Sequence, residues 1–172
     1  HILSDAVRKM SEGELLQIEK ARSLNLREDI YFEIIRNKTA SLLASACSAG
    51  AWSTSNDEAI AEKMRLFGEK TGIAFQIKDD LFDYTSDNIG KPTGNDIKEK
   101  KLTLPLIYTL NNTDRKTRRE IIYIVKNRNQ DKGKVSWVIN KVKEAGGIDY
   151  ATEKMNEYKK QALDILYQFP EN

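Results

Sequence analysis

Gly72-Ile73-Ala74-Phe75-Gln76-Ile77-Lys78-Asp79-Asp80-Leu81-Phe82-Asp83 is the stretch from which the rest of the chain can be read. Ile73, Ile77 and Leu81 recur every fourth residue, the period of a helix rather than a strand. Residues three and four apart share a helix face, so the carboxylates of Asp79, Asp80 and Asp83 are predicted to converge on one patch. Unrelieved, each like-charge pair of this kind costs a few tenths of a kcal/mol, on the order of 0.2–0.5. A hard divalent cation removes that repulsion, and Mg2+ is often shared between one or two carboxylates and a substrate phosphate. Gln76 lies one turn before Asp80 on the same stripe. Gly72 lies one turn earlier and is expected to leave open space. A solvated acidic face is the bland alternative, but Ile73, Ile77, Leu81 and Phe82 make this helix strongly apolar around the carboxylates.

Working outward, residues 85–101 hold Gly90, Pro92 and Gly94 and read as a loop. So long a loop in a compact chain is often a lid or binding segment. It carries Lys91, Lys98, Lys100 and Lys101 around Asp96. Carboxylates suited to Mg2+ beside flexible ammonium groups are the two parts needed to hold a diphosphate. Thr103 is expected to cap the next helix, with Pro105 in its first turn, followed by helices near 114–126, 132–144 and 148–167. Gly146 and Gly147 are expected to end the 132–144 helix as a C-cap.

Upstream, residues 2–22 read as one helix with an apolar stripe of Leu3, Val7, Met10, Leu15 and Ile18. Asn25 with Glu28 resembles a capping box opening a helix to about Ser48, and Ser55 with Glu58 repeats the signal for the helix that carries the aspartates. Lys38 sits between Ile34 and Leu42 on the face expected to be buried. It reads either as a lysine snorkelling to the surface or as an ammonium directed into a polar cavity, with the Thr39 hydroxyl beside it. The chain is thus expected to be all-α, a single domain over residues 1–172.

The bulk numbers agree. Three prolines and nine glycines leave room for long helices, and 40% hydrophobic with 31% charged residues is a soluble globular balance. A net charge of +2 gives no strong field for nucleic acid or an anionic membrane. The single cysteine, Cys47, excludes an internal disulfide and fits a reducing, cytoplasmic setting. No stretch is apolar enough for a membrane span, and none reads as a targeting segment. The chain opens at His1, which suggests truncation or processing.

Phe75-Gln76-x-x-Asp79-Asp80-x-x-Asp83 resembles the second aspartate-rich motif of the polyprenyl synthetases, the trans-isoprenyl diphosphate synthases. Gly90-Lys91-Pro92-x-Gly94-x-Asp96 and Lys101-x-Thr103-Leu104-Pro105 resemble the segment after that motif. Lys38-Thr39 resembles the family's Lys-Thr pair, and Glu12-Gly13-Glu14-x-x-Gln17 its upstream helix. The order and spacing match over about residues 1–168, and long-chain bacterial members such as octaprenyl diphosphate synthases look most similar.

The resemblance implies an all-helical bundle of the isoprenoid synthase type, usually a homodimer. It implies condensation of isopentenyl diphosphate with an allylic prenyl diphosphate. Asp79, Asp80 and Asp83 would bind Mg2+; Lys38, Lys91 and Lys101 would contact the diphosphate; Thr39 and Gln76 would turn oxygen dipoles toward the allylic cation. Lys100 stands where the family often has glycine, which leaves the functional lysine open between Lys100 and Lys101. Glu14 and Gln17 are read as facing either the cavity or a dimer partner. The family's first aspartate motif is absent, so the bundle is expected to be incomplete and the fragment inactive alone. A non-catalytic subunit of the same fold, a class I terpene cyclase and a purely structural bundle are the competing readings.

Overall fold

The computed structural model describes residues 2–23, 27–85 and 93–170. All its described elements are helical: α1 (Ile2–Ser23), α2 (Glu28–Ile35), α3 (Ser41–Ser55), α4 (Glu58–Phe82), α5 (Asn95–Lys98), α6 (Leu104–Asn112), α7 (Arg115–Asn127), α8 (Lys132–Glu144) and α9 (Gly147–Leu166). The all-α expectation is met. Between α2 and α3 the chain does not break but widens into a π-helical turn, Arg36–Ala40. Asn25, Gly90, Lys91 and Pro92, and the Leu3 side chain, lie outside the described residues.

Two compact units are made from alternating stretches of chain: His1–Leu16, Phe32–Gln76 and Lys154–Asn172 form the first, Gln17–Tyr31 and Ile77–Glu153 the second. In the first unit, small residues set the packing. Ala6, Ala40, Ala44, Ala61 and Ala162 are buried with Ile34, Ile35 and Ile73. Small side chains allow the backbones to close up around the π-turn. A Cβ placed on Gly13 would stand 2.7 Å from the Lys38 backbone nitrogen, and one on Gly72 would stand 2.6 Å from the Ala40 Cα. Gly72 therefore does not leave open space, as expected from sequence; the helix carrying Ala40 occupies it.

The π-turn also corrects the face assigned to Lys38. One inserted residue rotates everything beyond it by about 100° relative to an unbroken 3.6-residue period. Ile34 is buried, but Leu42 is 41% exposed, and Ala40, Ser41 and Ala44 turn inward instead. The α1 stripe is corrected too. Ala6 and Gly13 are buried, whereas Val7, Leu15 and Ile18 are exposed. Close approach at Gly13 selects the small-residue face of α1, which sequence hydrophobicity ranks last.

The second unit is built on a conventional branched-aliphatic core. Leu104, Leu106 and Ile107 of α6, Ile121, Ile124 and Val125 of α7, and Val135, Val138 and Val142 of α8 are all buried as these three helices pack together. Asp114 and Asp131 cap α7 and α8, each accepting two backbone N–H groups. Gly146, at φ +77, ends α8 as read from sequence. Two caps differ from expectation. Asp57, not Ser55, accepts from the backbone N–H groups of Ala59 and Ile60 and opens α4. Thr103 precedes α6 but makes no side-chain cap; its hydroxyl is paired with that of buried Tyr84.

The close approach at Gly72 is testable. Gly72→Ala must push backbone aside and should cost about 1–3 kcal/mol in urea denaturation. Gly50→Ala, inside α3 with nothing within 4 Å of the added carbon, should instead stabilise by about 0.5–1 kcal/mol. Equal effects of the two substitutions would contradict the packing described.

Candidate functional site

The end of α4 positions three carboxylates in three different environments. Asp80 is fully buried, at 0% relative exposure. A bare carboxylate there would be strongly destabilising, and the fold compensates it twice. The Tyr31 hydroxyl donates to Oδ2 at 2.8 Å, and the Lys101 ammonium donates to Oδ1 at 2.8 Å. Tyr31 is itself buried, and burial together with the Asp80 charge pushes its phenol well above its ordinary range. It therefore stays protonated and can only donate to the carboxylate.

Asp83 does different work. Its carboxylate is half-buried and accepts the backbone N–H groups of Asn95, at 2.7 Å, and Asp96, at 3.1 Å. These are the first N–H groups of the four-residue α5, and Asp83 seats them. Its carbonyl also accepts from the Gly94 nitrogen at 3.0 Å. Gly94 is required there on two counts: φ is +80, and an added Cβ would stand 2.5 Å from Val135 Cγ1. Burial raises the Asp83 carboxyl above its usual value, against the two backbone donors. Asp79, one turn before Asp83, is partly exposed.

Seating α5 places Asp96 beside Lys101, with both carboxylate oxygens 3.4 Å from the ammonium. One cation is thus shared by two acids, so the second carboxylate is surplus. Burial pushes Asp96 up to about 7, with the Asp80 and Asp83 charges adding to it and Lys101 opposing it. Burial works against the Lys101 ammonium, but Asp80 and Asp96 more than offset this and hold it above the ordinary lysine range. The structure distinguishes the two lysines left open by sequence. Lys101 turns inward, whereas Lys100 is exposed at φ +59, the left-handed region that favours glycine. A left-handed conformation at this position is one that glycine adopts without strain, and the Lys100 side chain turns to solvent.

In the first unit, the Thr39 hydroxyl donates to Gln76 Oε1 at 2.8 Å, which fixes the direction of the remaining Thr39 lone pairs. Lys38 Nζ lies 2.6 Å from Glu14 Oε2, with its side chain 38% exposed. Lys38 and Thr39 both belong to the π-turn, a helix defect frequent at functional sites. Lys91 lies outside the described residues. Sequence reasoning missed Tyr31, whose partner is 49 residues away, and the pairing of Glu14 with Lys38. For Tyr31 no local signal existed; for Glu14 its place in the Glu12-Gly13-Glu14-x-x-Gln17 segment was the only hint.

Asp79, Asp80 and Asp83 are carboxylates, the oxygen donors that a hard cation takes, but among the described residues no three Asp, Glu, His or Cys side chains are placed to hold a metal ion, so the convergence expected from sequence is not met. Both oxygens of Asp80 and of Asp83 already accept hydrogen bonds. Cys47 is half-buried, and burial raises its thiol, so it is a poor nucleophile. Among the described residues, no helix is long and apolar enough to cross a membrane.

Two outcomes follow. Lys101→Met removes the ammonium from fully buried Asp80 and should cost about 3–5 kcal/mol in chemical denaturation. Lys100→Gly should change stability by less than about 1 kcal/mol, relief of the left-handed backbone offsetting the extra freedom of the unfolded chain. The second concerns pH. Asp96 has a folded pKa above its unfolded one, so the native state binds more protons between pH 4 and 7. Its contribution is favourable at low pH and is lost as pH rises toward 7. In metal-free protein, Asp96→Asn should therefore raise Tm at pH 8 and have a smaller effect at pH 5; a constant difference would contradict this.

The comparisons with known proteins concern the same residues. The sequence profile of the polyprenyl synthetase family matches residues 1–142. An all-trans-nonaprenyl-diphosphate synthase of Rhodobacter capsulatus is 36% identical over 166 residues, which are 95% of this chain and 50% of that protein. A polyprenyl synthase of Caulobacter crescentus, crystallised with calcium and isoprenyl diphosphate, superposes with a TM-score of 0.91 at 34% identity, over 99% of this chain and 53% of that one. A geranylgeranyl pyrophosphate synthase of Bacteroides thetaiotaomicron superposes with a TM-score of 0.89 at 40% identity, over 99% of this chain and 57% of that one. The chain spans about half the length of the relatives it matches. On these matches and on its all-helical architecture, the chain belongs to the polyprenyl synthetase family.

Proposed function

We propose that this chain is the part of a trans-prenyltransferase that ionises an allylic prenyl diphosphate for attack by isopentenyl diphosphate. The observation that supports this reading is the end of α4 in a polyprenyl synthetase chain, where Lys101 is held against Asp80 and Asp83 seats α5, with Asp79 one turn before Asp83. Asp79 and Asp83, partly exposed, would hold Mg2+ together with Asp80. When bound, the cation would neutralise charge on the leaving diphosphate. Lys101 would present its ammonium to the same diphosphate from a position set by Asp80 and Asp96. Lys38 and Lys91 would supply further ammonium contacts.

Thr39 and Gln76 would direct oxygen dipoles toward the allylic cation as the C–O bond breaks. Fixed dipoles of this kind stabilise developing charge without reorganising. In condensation, the new carbon–carbon bond forms from the isopentenyl double bond, and the proton then lost passes to the departing diphosphate. Residues beyond these 172 would complete the site, and a second copy of the chain would complete a homodimer in a cytoplasmic enzyme. A heptaprenyl diphosphate synthase component 2 of Geobacillus stearothermophilus, 30% identical, is named as one component of its enzyme.

The test is incorporation of labelled isopentenyl diphosphate into longer prenyl diphosphates by the gene product carrying these residues, with Mg2+ and farnesyl diphosphate. Asp79→Ala and Asp83→Ala are each expected to lower kcat/KM at least a hundredfold, about 2.7 kcal/mol or more. For Asp79→Ala, Tm should stay within a few degrees of wild type. Absence of magnesium-dependent incorporation by the wild type, or full activity of both variants, would overturn the reading. The 172-residue chain assayed alone is expected to be silent.

A further inference from the structure

The charge of the chain is unevenly distributed. Residues 114–144, which make up α7 and α8 with their caps, hold ten Lys and Arg against four Asp and Glu, a net +6. The whole chain carries +2, so all other residues together carry −4. The overall figure, read from sequence as weak, conceals a strongly basic helical pair.

On α7 the basic residues fall on one face. Ile121, Ile124 and Val125 turn into the core of the second unit. Arg115, Arg119, Tyr123 and Lys126 recur at spacings of four, four and three on the opposite face and are all exposed. Lys116 and Arg118, also exposed, flank them. Among the described residues, Arg115, Lys116, Arg118, Arg119 and Lys126 have no carboxylate within ion-pair distance, whereas Lys134 of α8 is paired with Glu120 at 3.9 Å. Among the described residues, no ion pair engages these five cations.

Tyr123, 55% exposed, sits in the middle of the stripe. A phenol ring with a polar tip among long basic side chains is the composition of a surface that settles against lipid headgroups. The apolar side of α7 is committed to the core, so the helix cannot insert by turning over. Attraction would be electrostatic, with one exposed tyrosine reaching the headgroup layer. The stripe lies along the outside of a helix rather than in a groove, and it carries one aromatic, where single-stranded nucleic acid is bound on successive stacking platforms.

We infer that the outer face of α7, centred on Arg115, Arg119, Tyr123 and Lys126, docks the protein on an anionic phospholipid bilayer. The preference for lipid over other polyanions also draws on the proposed reaction, whose products are themselves lipids; the docking assay reads binding and so succeeds or fails independently of turnover.

The experiment is co-sedimentation of the protein with vesicles of 30% phosphatidylglycerol in phosphatidylcholine, against pure phosphatidylcholine, at 50 and 500 mM salt. Binding is expected to the anionic vesicles at low salt and to be lost at high salt, because exposed charges are screened within a few ångströms there. The triple variant Arg115→Glu, Arg119→Glu, Lys126→Glu should bind at least tenfold more weakly. These residues are exposed and outside the aspartate cluster, so its thermal melt should match wild type. A control of equal charge change on exposed lysines of the first unit, Lys63→Glu, Lys159→Glu, Lys160→Glu, should stay within twofold of wild type. Equal loss in the control would mean net charge alone acts, and equal binding to neutral vesicles would mean the charges do not; either overturns the inference. So would binding of single-stranded RNA as tight as that of anionic vesicles and equally sensitive to the triple variant.

Discussion

A carboxylate with no exposed surface, Asp80, is the constraint around which the second unit is arranged. It requires a cation and a donor, and the chain supplies Lys101 from 21 residues downstream and Tyr31 from 49 upstream. Breaking such an arrangement costs several kcal/mol, whereas the whole of it contributes little beyond what a packed apolar group would. Its value lies in what it positions. An ammonium that is otherwise the most mobile of side-chain charges is held against the end of α4, with Asp96 behind it.

Placing Lys101 there depends on the path by which the chain enters and leaves α5. Asp83 and Gly94 define that path. Asp83 captures the first N–H groups of α5, Gly94 adopts the left-handed turn that enters it, and Lys100 adopts a second left-handed conformation as the chain leaves. Residues that looked from sequence like parts of a charged loop are thus a short helix with a side-chain seat. The first unit uses another device. Its backbones approach at glycine and alanine, and the π-turn at Arg36–Ala40 presents Lys38 to Glu14 and Thr39 to Gln76.

What was legible in the sequence follows from where each signal is stored. The helix carrying Asp79, Asp80 and Asp83 was legible because periodicity and i, i+4 spacing are local. The end of α8 at Gly146 was legible because only the backbone of that residue decides it. The π-turn was not, since Arg36-Asn37-Lys38-Thr39-Ala40 has no composition that marks it; it is associated with close packing at Gly13 and Gly72, far along the chain. The same distance hid Tyr31. Ser55 misled because the capping-box pattern fits it as well as Asp57 fits its own cap, and only the left-handed Asn56 between them decides which residue faces the free N–H groups. Lys100 and Lys101 are equivalent to any reading of composition and differ by a backbone angle.

The seat that Asp83 provides for α5 has a further consequence. Both of its oxygens are shared property: whatever draws electron density from them loosens the N-terminus of α5, and whatever stiffens α5 makes those oxygens poorer acceptors for anything else. Such effects are reciprocal by thermodynamic necessity. The aspartate cluster and the segment from Asn95 to Lys101 therefore form a single reporter, in which occupancy at one end can be read as order at the other.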